Sequence, residues 1–191
     1  MRIPGVEVTR FEPHGAAEGT AVVLPGRAYP PVAPLLWLAT QVLLAHRWRV
    51  THVWWDAPGE HGDADHEDWV ADQLLQHLPD SGRVLVVGKS LGTLAAPVAA
   101  QRGYDAIWLT PLLQEQPVVD ALAANAARQL LVGGTADHHA WRSDVARQLG
   151  EQGCDVLEVA EADHAMQAAG DPVRSAEILV EVTRAMDSFL G

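Results

Sequence analysis

A serine between two glycines is the feature of this sequence with the clearest chemical meaning. The segment Gly88-Lys89-Ser90-Leu91-Gly92 directly follows an apolar run at 84–87 and precedes a helical pattern; Lys89 is the only lysine of the chain. In a sharp strand-to-helix turn of this kind, the serine hydroxyl stands clear of the sheet and the glycines leave room for neighbouring backbone. The N-terminus of the following helix favours negative charge beside the hydroxyl. The pattern predicts that Ser90 is a nucleophile, whereas an ordinary glycine-rich turn is the alternative.

A serine hydroxyl becomes a useful nucleophile only beside a base, and the usual base is a histidine oriented by a carboxylate. When the serine lies in a strand-turn-helix setting, the acid follows it in the chain and the histidine comes last, each after a late strand. Asp137 follows the apolar run 129–132, and His164 follows the run 155–159. We therefore predict a catalytic triad of Ser90, Asp137 and His164.

Other acids and histidines compete for these two roles. Asp137 could instead cap a helix or shape a turn, and His164 could be an ordinary loop residue. Glu115 and Asp120, which follow the apolar run 106–109, are the reserve acids. Three further residues are weaker candidates, because a direct neighbour in sequence rarely reaches the far nitrogen of the imidazole. They are His138, His139 and Asp163.

A run of histidines and carboxylates at 60–68 has the composition of a transition-metal site. We favour a helix start instead, because Asp65 suits an N-cap and acidic residues suit a first helical turn. His61 and His66 also lack the i, i+4 spacing with which two histidines of one helix bind a metal. The sequence thus predicts neither a metal site nor an organic cofactor.

Short β-rich runs, several of them almost continuously apolar, alternate along the chain with helical patterns. Runs that are apolar at every position, such as 84–87, are typical of strands buried on both faces of a parallel sheet. The predicted strands are 6–10, 21–24, 50–55, 83–87, 106–109, 129–132 and 155–159. The predicted helices are 34–46, 67–78, 90–101, 117–127, 141–152 and 174–190. This alternation predicts a doubly wound, mostly parallel α/β sheet flanked by helices, in a single domain that spans residues 1–191.

The loops after the strands decide where a ligand binds, because open α/β sheets bind ligands beyond the carboxyl ends of their strands. Only residues 110–128 separate two late strands, which leaves room for one short helix and no lid domain. We therefore expect a shallow, open site. Its expected borders are Tyr29, Leu112, Leu113 and Met166.

Four motifs together resemble those of the α/β-hydrolase superfamily, and in particular its small, lidless, dienelactone-hydrolase-like branch. They are Leu24-Pro25-Gly26-Arg27, Gly88-Lys89-Ser90-Leu91-Gly92, Gly133-Gly134-Thr135-Ala136-Asp137 and Ala162-Asp163-His164. The resemblance covers nearly the whole chain, and it implies Ser90 as nucleophile, Asp137 as acid and His164 as base. Dienelactone hydrolases carry a cysteine where this chain has Ser90, so their substrate does not carry over.

The same fold implies an oxyanion hole, which is a pair of backbone N–H groups that stabilise the negatively charged intermediate. The first N–H belongs to Leu91, the residue after the nucleophile. The second lies in the loop 25–29, where Pro25 has no N–H to donate. Arg27 is the first choice for this donor and Ala28 the second. The Arg27 side chain could also bind a substrate carboxylate, or it could simply be exposed to solvent.

The overall charge argues against some functional classes. The chain has 191 residues with 13 Lys+Arg against 25 Asp+Glu, which gives a formal net charge of −12. Such a chain is repelled by nucleic-acid phosphates and by anionic membrane surfaces. The single cysteine, Cys154, cannot form an internal disulfide, and residues 1–11 lack the apolar core of a signal peptide. We therefore expect a soluble, cytoplasmic protein that binds neither nucleic acid nor membrane.

These features together predict a serine hydrolase that cleaves a small carboxylic ester or thioester through an acyl-enzyme, as a carboxylesterase does. Its expected partner is a small-molecule ester substrate. Two other hypotheses stay open at this point. A peptidase or amidase would use the same triad, and a non-catalytic α/β-hydrolase scaffold would bind a small molecule or a partner protein.

Overall fold

One mixed sheet of seven strands runs through the part of the chain that this computed structural model describes, residues 8–57 and 66–191. The strands are β1 (Val8–Phe11), β2 (Gly19–Leu24), β3 (Trp48–Val53), β4 (Val84–Lys89), β5 (Asp105–Leu109), β6 (Gln129–Gly134) and β7 (Asp155–Val159). Their order across the sheet is β1-β3-β2-β4-β5-β6-β7. β1 runs antiparallel to β3, and the other neighbouring pairs are parallel. The doubly wound, mostly parallel α/β sheet predicted from the sequence is confirmed.

Helices cover both faces of the sheet. In chain order they are α1 (Pro34–Ala45), α2 (His66–Leu75), a 3₁₀ helix (Ser90–Ala95), α3 (Ala96–Arg102), α4 (Gln116–Ala124), α5 (Ser143–Glu151) and α6 (Pro172–Leu190). Leu36 of α1 and Ile178 of α6 belong to one buried apolar core, to which β4 contributes Val87. Leu74 of α2 belongs to a second core, to which β4 contributes Val86. Alternate residues of a strand point to opposite faces, so β4 is buried on both sides.

The chain reverses its direction across the sheet between β2 and β4. β3 lies on one side of β2, whereas β4 lies on the other side and β5 to β7 continue outward. The helices that follow β2 and β4 pack on opposite faces of the sheet, which leaves a crevice at the carboxyl ends of these strands. Open α/β sheets bind ligands at such a point. Ser90, the first residue after β4, therefore lies beside the loop 25–33 that follows β2.

Several boundaries differ from those predicted. The helix predicted at 90–101 is a 3₁₀ helix followed by α3, because Pro97 has no N–H with which to continue an unbroken helical ladder. The strand predicted at 50–55 begins earlier and ends at Val53. Helix α6 begins before residue 174, because Asp171 caps it by accepting the N–H of Arg174 at 2.9 Å.

A histidine in the first core has no hydrogen-bond partner for one of its ring nitrogens among the residues that the structure describes. His52 of β3 is fully buried. The Thr40 hydroxyl donates to the Leu36 carbonyl at 2.9 Å, so its oxygen accepts the proton on Nε2 of His52 at 2.6 Å. Nδ1 of His52 is then a buried acceptor without a hydrogen bond. Burial lowers the pKa of His52 from 6.5 to about 4, because a protonated imidazole here would be a buried charge with no counter-ion.

This buried histidine makes stability depend on pH. The unfolded chain takes up a proton at His52 below pH 6.5, whereas the folded protein resists it down to about 4. The contribution is complete above pH 6.5 and is lost as the pH falls to about 4; it amounts to at most ~3 kcal/mol. We expect urea unfolding between pH 7.5 and 4.5 to show a shallower loss of stability in His52→Gln than in the natural protein.

The matched control for this measurement is His14→Gln, because His14 is exposed. This variant should lose stability with falling pH as steeply as the natural protein does. Equal slopes for the natural protein and His52→Gln would show that His52 is not the group responsible.

Candidate active site

Ser90 lies at a sharp turn between β4 and the 3₁₀ helix. Its backbone φ is +52°, a left-handed conformation that a residue with a side chain adopts only where its surroundings impose it. A Cβ on Gly88 would lie 2.7 Å from the carbonyl oxygen of Gly92, and a Cβ on Gly92 would overlap the backbone of Leu24. Both flanking positions therefore require glycine, which explains the Gly-x-Ser-x-Gly spacing.

Asp137 lies in the loop after β6 with its carboxylate fully buried. Its Oδ1 accepts the backbone N–H groups of His139 and Ala140, both at 3.1 Å, and its Oδ2 accepts Nδ1–H of His164 at 2.7 Å. Burial by itself would raise the pKa of Asp137. The hydrogen bond from His164, together with the two backbone N–H groups, outweighs burial and lowers this pKa below its ordinary value. The carboxylate is thus held in its ionised form.

His164 lies in the loop after β7, and its neighbour Asp163 shapes that loop. The Asp163 carboxylate accepts the N–H of Ala165 at 2.8 Å and that of Gln167 at 3.0 Å. Between them, Met166 adopts a left-handed φ of +58°. Asp163 therefore turns its carboxylate toward its own loop backbone, and it holds the segment that carries the imidazole.

Close backbone contacts join the acid loop to the base loop. A Cβ on Gly134, the last residue of β6, would overlap the backbone of Ala162. The N–H of Ala136 donates to the carbonyl of Ala162 at 3.0 Å, and the Thr135 hydroxyl accepts the N–H of Glu161 at 2.9 Å. The two loops consequently form one unit, which keeps Asp137 within hydrogen-bonding reach of the imidazole.

The three loops bring the serine, the histidine and the aspartate into one hydrogen-bonded line. His164 Nδ1 lies 2.7 Å from Asp137 Oδ2, and His164 Nε2 lies 2.8 Å from Ser90 Oγ. Because the ionised carboxylate can only accept, Nδ1 carries the imidazole proton and Nε2 accepts the hydroxyl proton of Ser90. The imidazole side chain is 32% exposed, so it contacts the buried acid on one side and lines the open cavity on the other.

The alternative acids and bases lie elsewhere or play other parts. Glu115 is exposed at the start of α4, and the exposed carboxylate of Asp120 accepts the side-chain amide of Gln116 at 2.7 Å. His139 gives Asp137 its backbone N–H. These residues are not part of the hydrogen-bonded line that ends at the serine.

The loop after β2 passes beside the serine. A Cβ on Gly26 would lie 3.5 Å from the Cβ of Ser90. The N–H of Gly26 donates to the carbonyl of Tyr29 at 3.1 Å, which closes a tight turn around Arg27. The Arg27 guanidinium lies 3.2 Å from Nε2 of His66. The turn that was predicted to supply the second oxyanion donor is therefore adjacent to the nucleophile, and its arginine reaches toward α2.

A cavity of about 670 Å³ opens in front of Ser90. Its lining residues are Gly26, Arg27, Ala28, Tyr29, Lys89, Ser90, Ala136, Asp137, His139, Asp163, His164 and Ala165. Tyr29 lies at the cavity, as expected, but Leu112 and Met166 do not. Met166 is fully buried in the core beneath α1 and α6 because the loop turns sharply there. Leu112 packs against the core on the other face of the sheet.

The sequence analysis did not predict the structural roles of two residues in this site. Asp163 was considered only as a rival acid, although an aspartate often organises the backbone that follows it. Lys89 occupies the variable position of the turn, and its only signal was that the chain has no other lysine. The structure buries this lysine beside the triad, with 2% of its surface exposed.

Comparison with known proteins identifies the fold. No protein-family model and no curated protein matches the chain. Solved structures do match: Est1E from Butyrivibrio proteoclasticus has a TM-score of 0.73 at 14% identity, over 96% of this chain and 93% of that one. An α/β serine hydrolase without a lid from Xanthomonas campestris has a TM-score of 0.64 at 15% identity, over 96% and 87%. The chain has an α/β-hydrolase fold.

The connection between β5 and β6 in this α/β-hydrolase fold is short. A third similar structure, an α/β serine hydrolase homologue from Coxiella burnetii, has a TM-score of 0.68 at 14% identity, over 96% of this chain and 91% of that one. Between β5 and β6 the chain forms one short helix, α4, which packs against α3 and α5. Within residues 8–57 and 66–191, no inserted domain covers Ser90, in agreement with the lidless fold expected from the sequence.

This α/β-hydrolase fold shows no metal centre in its described residues. There, no group of three or more His, Cys, Asp or Glu side chains is arranged to hold a metal ion. Of the run at 60–68 predicted above to start a helix, residues 60–65 lie outside the described residues, and residues 66–68 form the first turn of α2.

Among the described helices, none has the length and apolar character needed to cross a bilayer.

Proposed function

We propose that this protein is a serine hydrolase that cleaves a small carboxylic ester or thioester through an acyl-enzyme. The observation that carries the proposal is the line of two hydrogen bonds, 2.7 and 2.8 Å long, from the carboxylate of Asp137 through His164 to the hydroxyl of Ser90. An oriented base beside a strained serine at the mouth of a cavity is the arrangement that acyl transfer needs.

In the first half-reaction, Ser90 Oγ forms a bond to the substrate carbonyl carbon while its proton moves to Nε2 of His164. Asp137 stabilises the resulting imidazolium and keeps Nδ1 as the donor to its carboxylate. The tetrahedral intermediate collapses when the bond to the leaving oxygen or sulfur breaks. His164 gives its proton to that leaving atom, and the acyl group stays on Ser90.

In the second half-reaction, water attacks the acyl carbon and gives its proton to Nε2 of His164. The new intermediate collapses as the bond to Ser90 Oγ breaks, and His164 returns the proton to this oxygen. The products are a carboxylic acid and the free enzyme, so the protons balance without a cofactor. Asp137 stays ionised throughout, because its buried carboxylate keeps its hydrogen bonds to the backbone.

The negative charge on the former carbonyl oxygen needs its own donors. We assign them to the backbone N–H groups of Leu91 and Arg27. Leu91 follows Ser90 in the first turn of the 3₁₀ helix, and Arg27 lies in the turn that approaches the Ser90 side chain. Oriented backbone donors of this kind usually provide the largest single contribution to catalysis, and one such donor is worth about 3–4 kcal/mol.

The fold comparison supports this choice of chemistry. Est1E was solved with ferulic acid bound, which is a carboxylic acid, and the Xanthomonas neighbour is a serine hydrolase without a lid. A carboxylic acid is also what the proposed second half-reaction releases here. The acidic character of the chain, with a net charge of −12, favours a small substrate over a nucleic acid.

The experiment that tests the proposal is covalent labelling with a fluorophosphonate probe, combined with turnover of p-nitrophenyl acetate and of the matching p-nitroanilide. We expect labelling at Ser90, release of p-nitrophenol and little release of p-nitroaniline. Faster cleavage of the anilide would instead indicate an amidase or peptidase. Absence of both labelling and turnover in a folded protein would indicate a binding scaffold and contradict the proposal.

The open site should favour short acyl chains. The cavity at Ser90 meets a second one, of about 480 Å³, at Tyr29 and Ala165, and α4 does not close over either. Burial of one methylene group of the acyl chain would stabilise the bound substrate by ~0.8 kcal/mol. In an open site most of these groups stay exposed to water, so a longer chain gains little. We therefore expect kcat/KM for p-nitrophenyl esters to peak at short chains, with no jump in activity when the substrate forms micelles.

A variant that narrows the second cavity provides the control for this profile. Ala176→Trp adds a large side chain to its exposed wall on α6, and Arg184→Trp adds one at an exposed position elsewhere on the same helix. Both variants should cleave p-nitrophenyl acetate and butyrate with the kcat/KM of the natural protein. A long-chain optimum that only Ala176→Trp removes would show that the second cavity binds the acyl chain, and activation by micelles would indicate a mobile cover.

A further inference from the structure

The single lysine of the chain is buried next to the nucleophile. Lys89 is the last residue of β4, and it lies on the same side of the strand as Val87, which faces the core beneath α1 and α6. Only 2% of Lys89 is exposed. Lysine is rarely buried to this extent, because its ammonium loses hydration that the protein must replace. Its contacts therefore show what this position does.

The Lys89 side chain links three segments of the site. Its Nζ donates to the backbone carbonyl of His164 at 2.9 Å, and it lies 5.1 Å from the centre of the Tyr29 ring. A Cβ on Gly26 would lie only 3.2 Å from the Cδ of Lys89. The lysine thus begins at the turn that carries Ser90, passes beneath the loop after β2, and ends on the backbone of the base.

We propose that Lys89 is a positioning residue: its ammonium holds the backbone of His164, and through it the imidazole, in line with Ser90. The inference rests on the proposed serine hydrolase chemistry. The loop around His164 has its own support from Asp163, which bonds to Ala165 and Gln167 on the far side of the histidine. The Lys89 bond joins the backbone of the base loop to the serine turn, in addition to the hydrogen bond between the side chains of His164 and Ser90.

The charge of this lysine is set by its surroundings. Burial lowers the pKa of Lys89 to about 8, although the carboxylates of Asp137 and Asp163 act to raise it. The other titratable or charged groups that face the same cavity are Tyr29, Arg27, His139 and His164. Tyr29 does not titrate in this range, because its burial raises the pKa of its hydroxyl above the ordinary value of 10.0.

The charged and neutral forms of Lys89 hold the histidine loop differently. A hydrogen bond from an ammonium is roughly twice as strong as one from a neutral amine, and only the ammonium is attracted to the face of the Tyr29 ring. The ammonium predominates below pH 8 and the neutral amine above it. The rate should therefore fall on the alkaline side, as Lys89 loses its proton at about pH 8.

The test compares Lys89→Met with the natural protein, using p-nitrophenyl acetate between pH 6 and 9.5. A misplacement of about 1 Å costs about 10²-fold in rate, so we expect kcat at pH 7.5 to fall by about 10- to 100-fold with little change in KM. The alkaline fall near pH 8 should disappear in the variant. Arg102→Met, which removes an exposed cation at the end of α3, should change neither kcat nor the pH profile.

Two further measurements separate positioning from folding. The melting temperature of Lys89→Met should not fall, because replacing a buried charge by an apolar group of similar volume is often neutral or stabilising. Hydrogen exchange of the amides at 165–167 should become faster in the variant. Lys89→Gln, whose side chain keeps a shorter donor, provides a second variant if Lys89→Met does not fold.

The outcomes distinguish this inference from the proposed function. If the natural protein reacts with the fluorophosphonate probe and Lys89→Met reacts equally fast, Lys89 does not position the base although the hydrolase is real. An alkaline fall that persists in Lys89→Met would assign it to another group and also overturn the inference. If neither protein reacts, the hydrolase proposal fails; unchanged hydrogen exchange at 165–167 would then show that Lys89 does not hold this loop either.

Discussion

Ser90→Ala should abolish labelling by the fluorophosphonate probe and lower kcat for p-nitrophenyl acetate by about 10⁵- to 10⁶-fold. The Ser90 oxygen is the atom that would form the acyl-enzyme, and it lies 2.8 Å from Nε2 of His164. KM should change little, because the cavity walls stay in place. Intact-mass spectrometry after incubation with the probe measures the first effect, and steady-state kinetics measure the second.

The fold should survive this substitution. Alanine meets the same left-handed backbone at φ +52° as serine does, and the two glycines that shape the turn remain. Ser81→Ala, at an exposed position before β4, is the matched control and should keep full labelling and turnover. A folded Ser90→Ala protein that retains most of its esterase activity would show that the turn does not carry the nucleophile.

Asp137→Asn should lower kcat by about 10⁴-fold in a folded protein, as in other triads of this type. An amide can donate to Nδ1 as well as accept from it, so the imidazole would hold its proton on Nε2 and could no longer accept the proton of Ser90. The imidazolium would also lose the buried charge that stabilises it. Kinetics with p-nitrophenyl acetate at several pH values measure the loss.

The reserve acids provide matched controls for this experiment. Glu115→Gln and Asp120→Asn remove a carboxylate in the same way, but both residues are exposed on the segment around α4. Each variant should retain the rate of the natural protein. If Asp137→Asn keeps its rate while one of these controls is inactive, the orienting acid belongs to the earlier loop and the assignment of Asp137 is wrong.

Asp137 and His52 show how burial can affect two titratable groups in opposite ways. Burial would raise the pKa of Asp137, yet this carboxylate stays ionised because a histidine and two backbone N–H groups compensate. His52 is hydrogen-bonded to the neutral Thr40 hydroxyl, and burial lowers the pKa of His52 to about 4. The protein therefore holds a charge where the proposed reaction needs one and excludes it where the core would be left with an unpaired cation.

The order of elements and the identity of the triad candidates could be predicted from the sequence, because both depend on local patterns. Continuous apolar runs identify the central strands such as β4, and the predicted bounds of the edge strand β7 are those that the structure shows. The glycines around Ser90 are a local steric requirement of the turn, so their spacing is visible without the fold. The chain order of serine, acid and histidine follows from the loops of a doubly wound sheet.

The cavity walls and the role of the lysine were decided only by the tertiary structure. Leu112 and Met166 follow strands as the cavity residues do, but contacts distant in sequence bury Met166 in one core and pack the half-buried Leu112 against the other. Lys89 occupies the variable position of its turn, and nothing local specifies that its ammonium meets the carbonyl of His164, 75 residues further along the chain. Local sequence patterns predict elements and turns, whereas the partners of a buried side chain depend on how distant segments pack together.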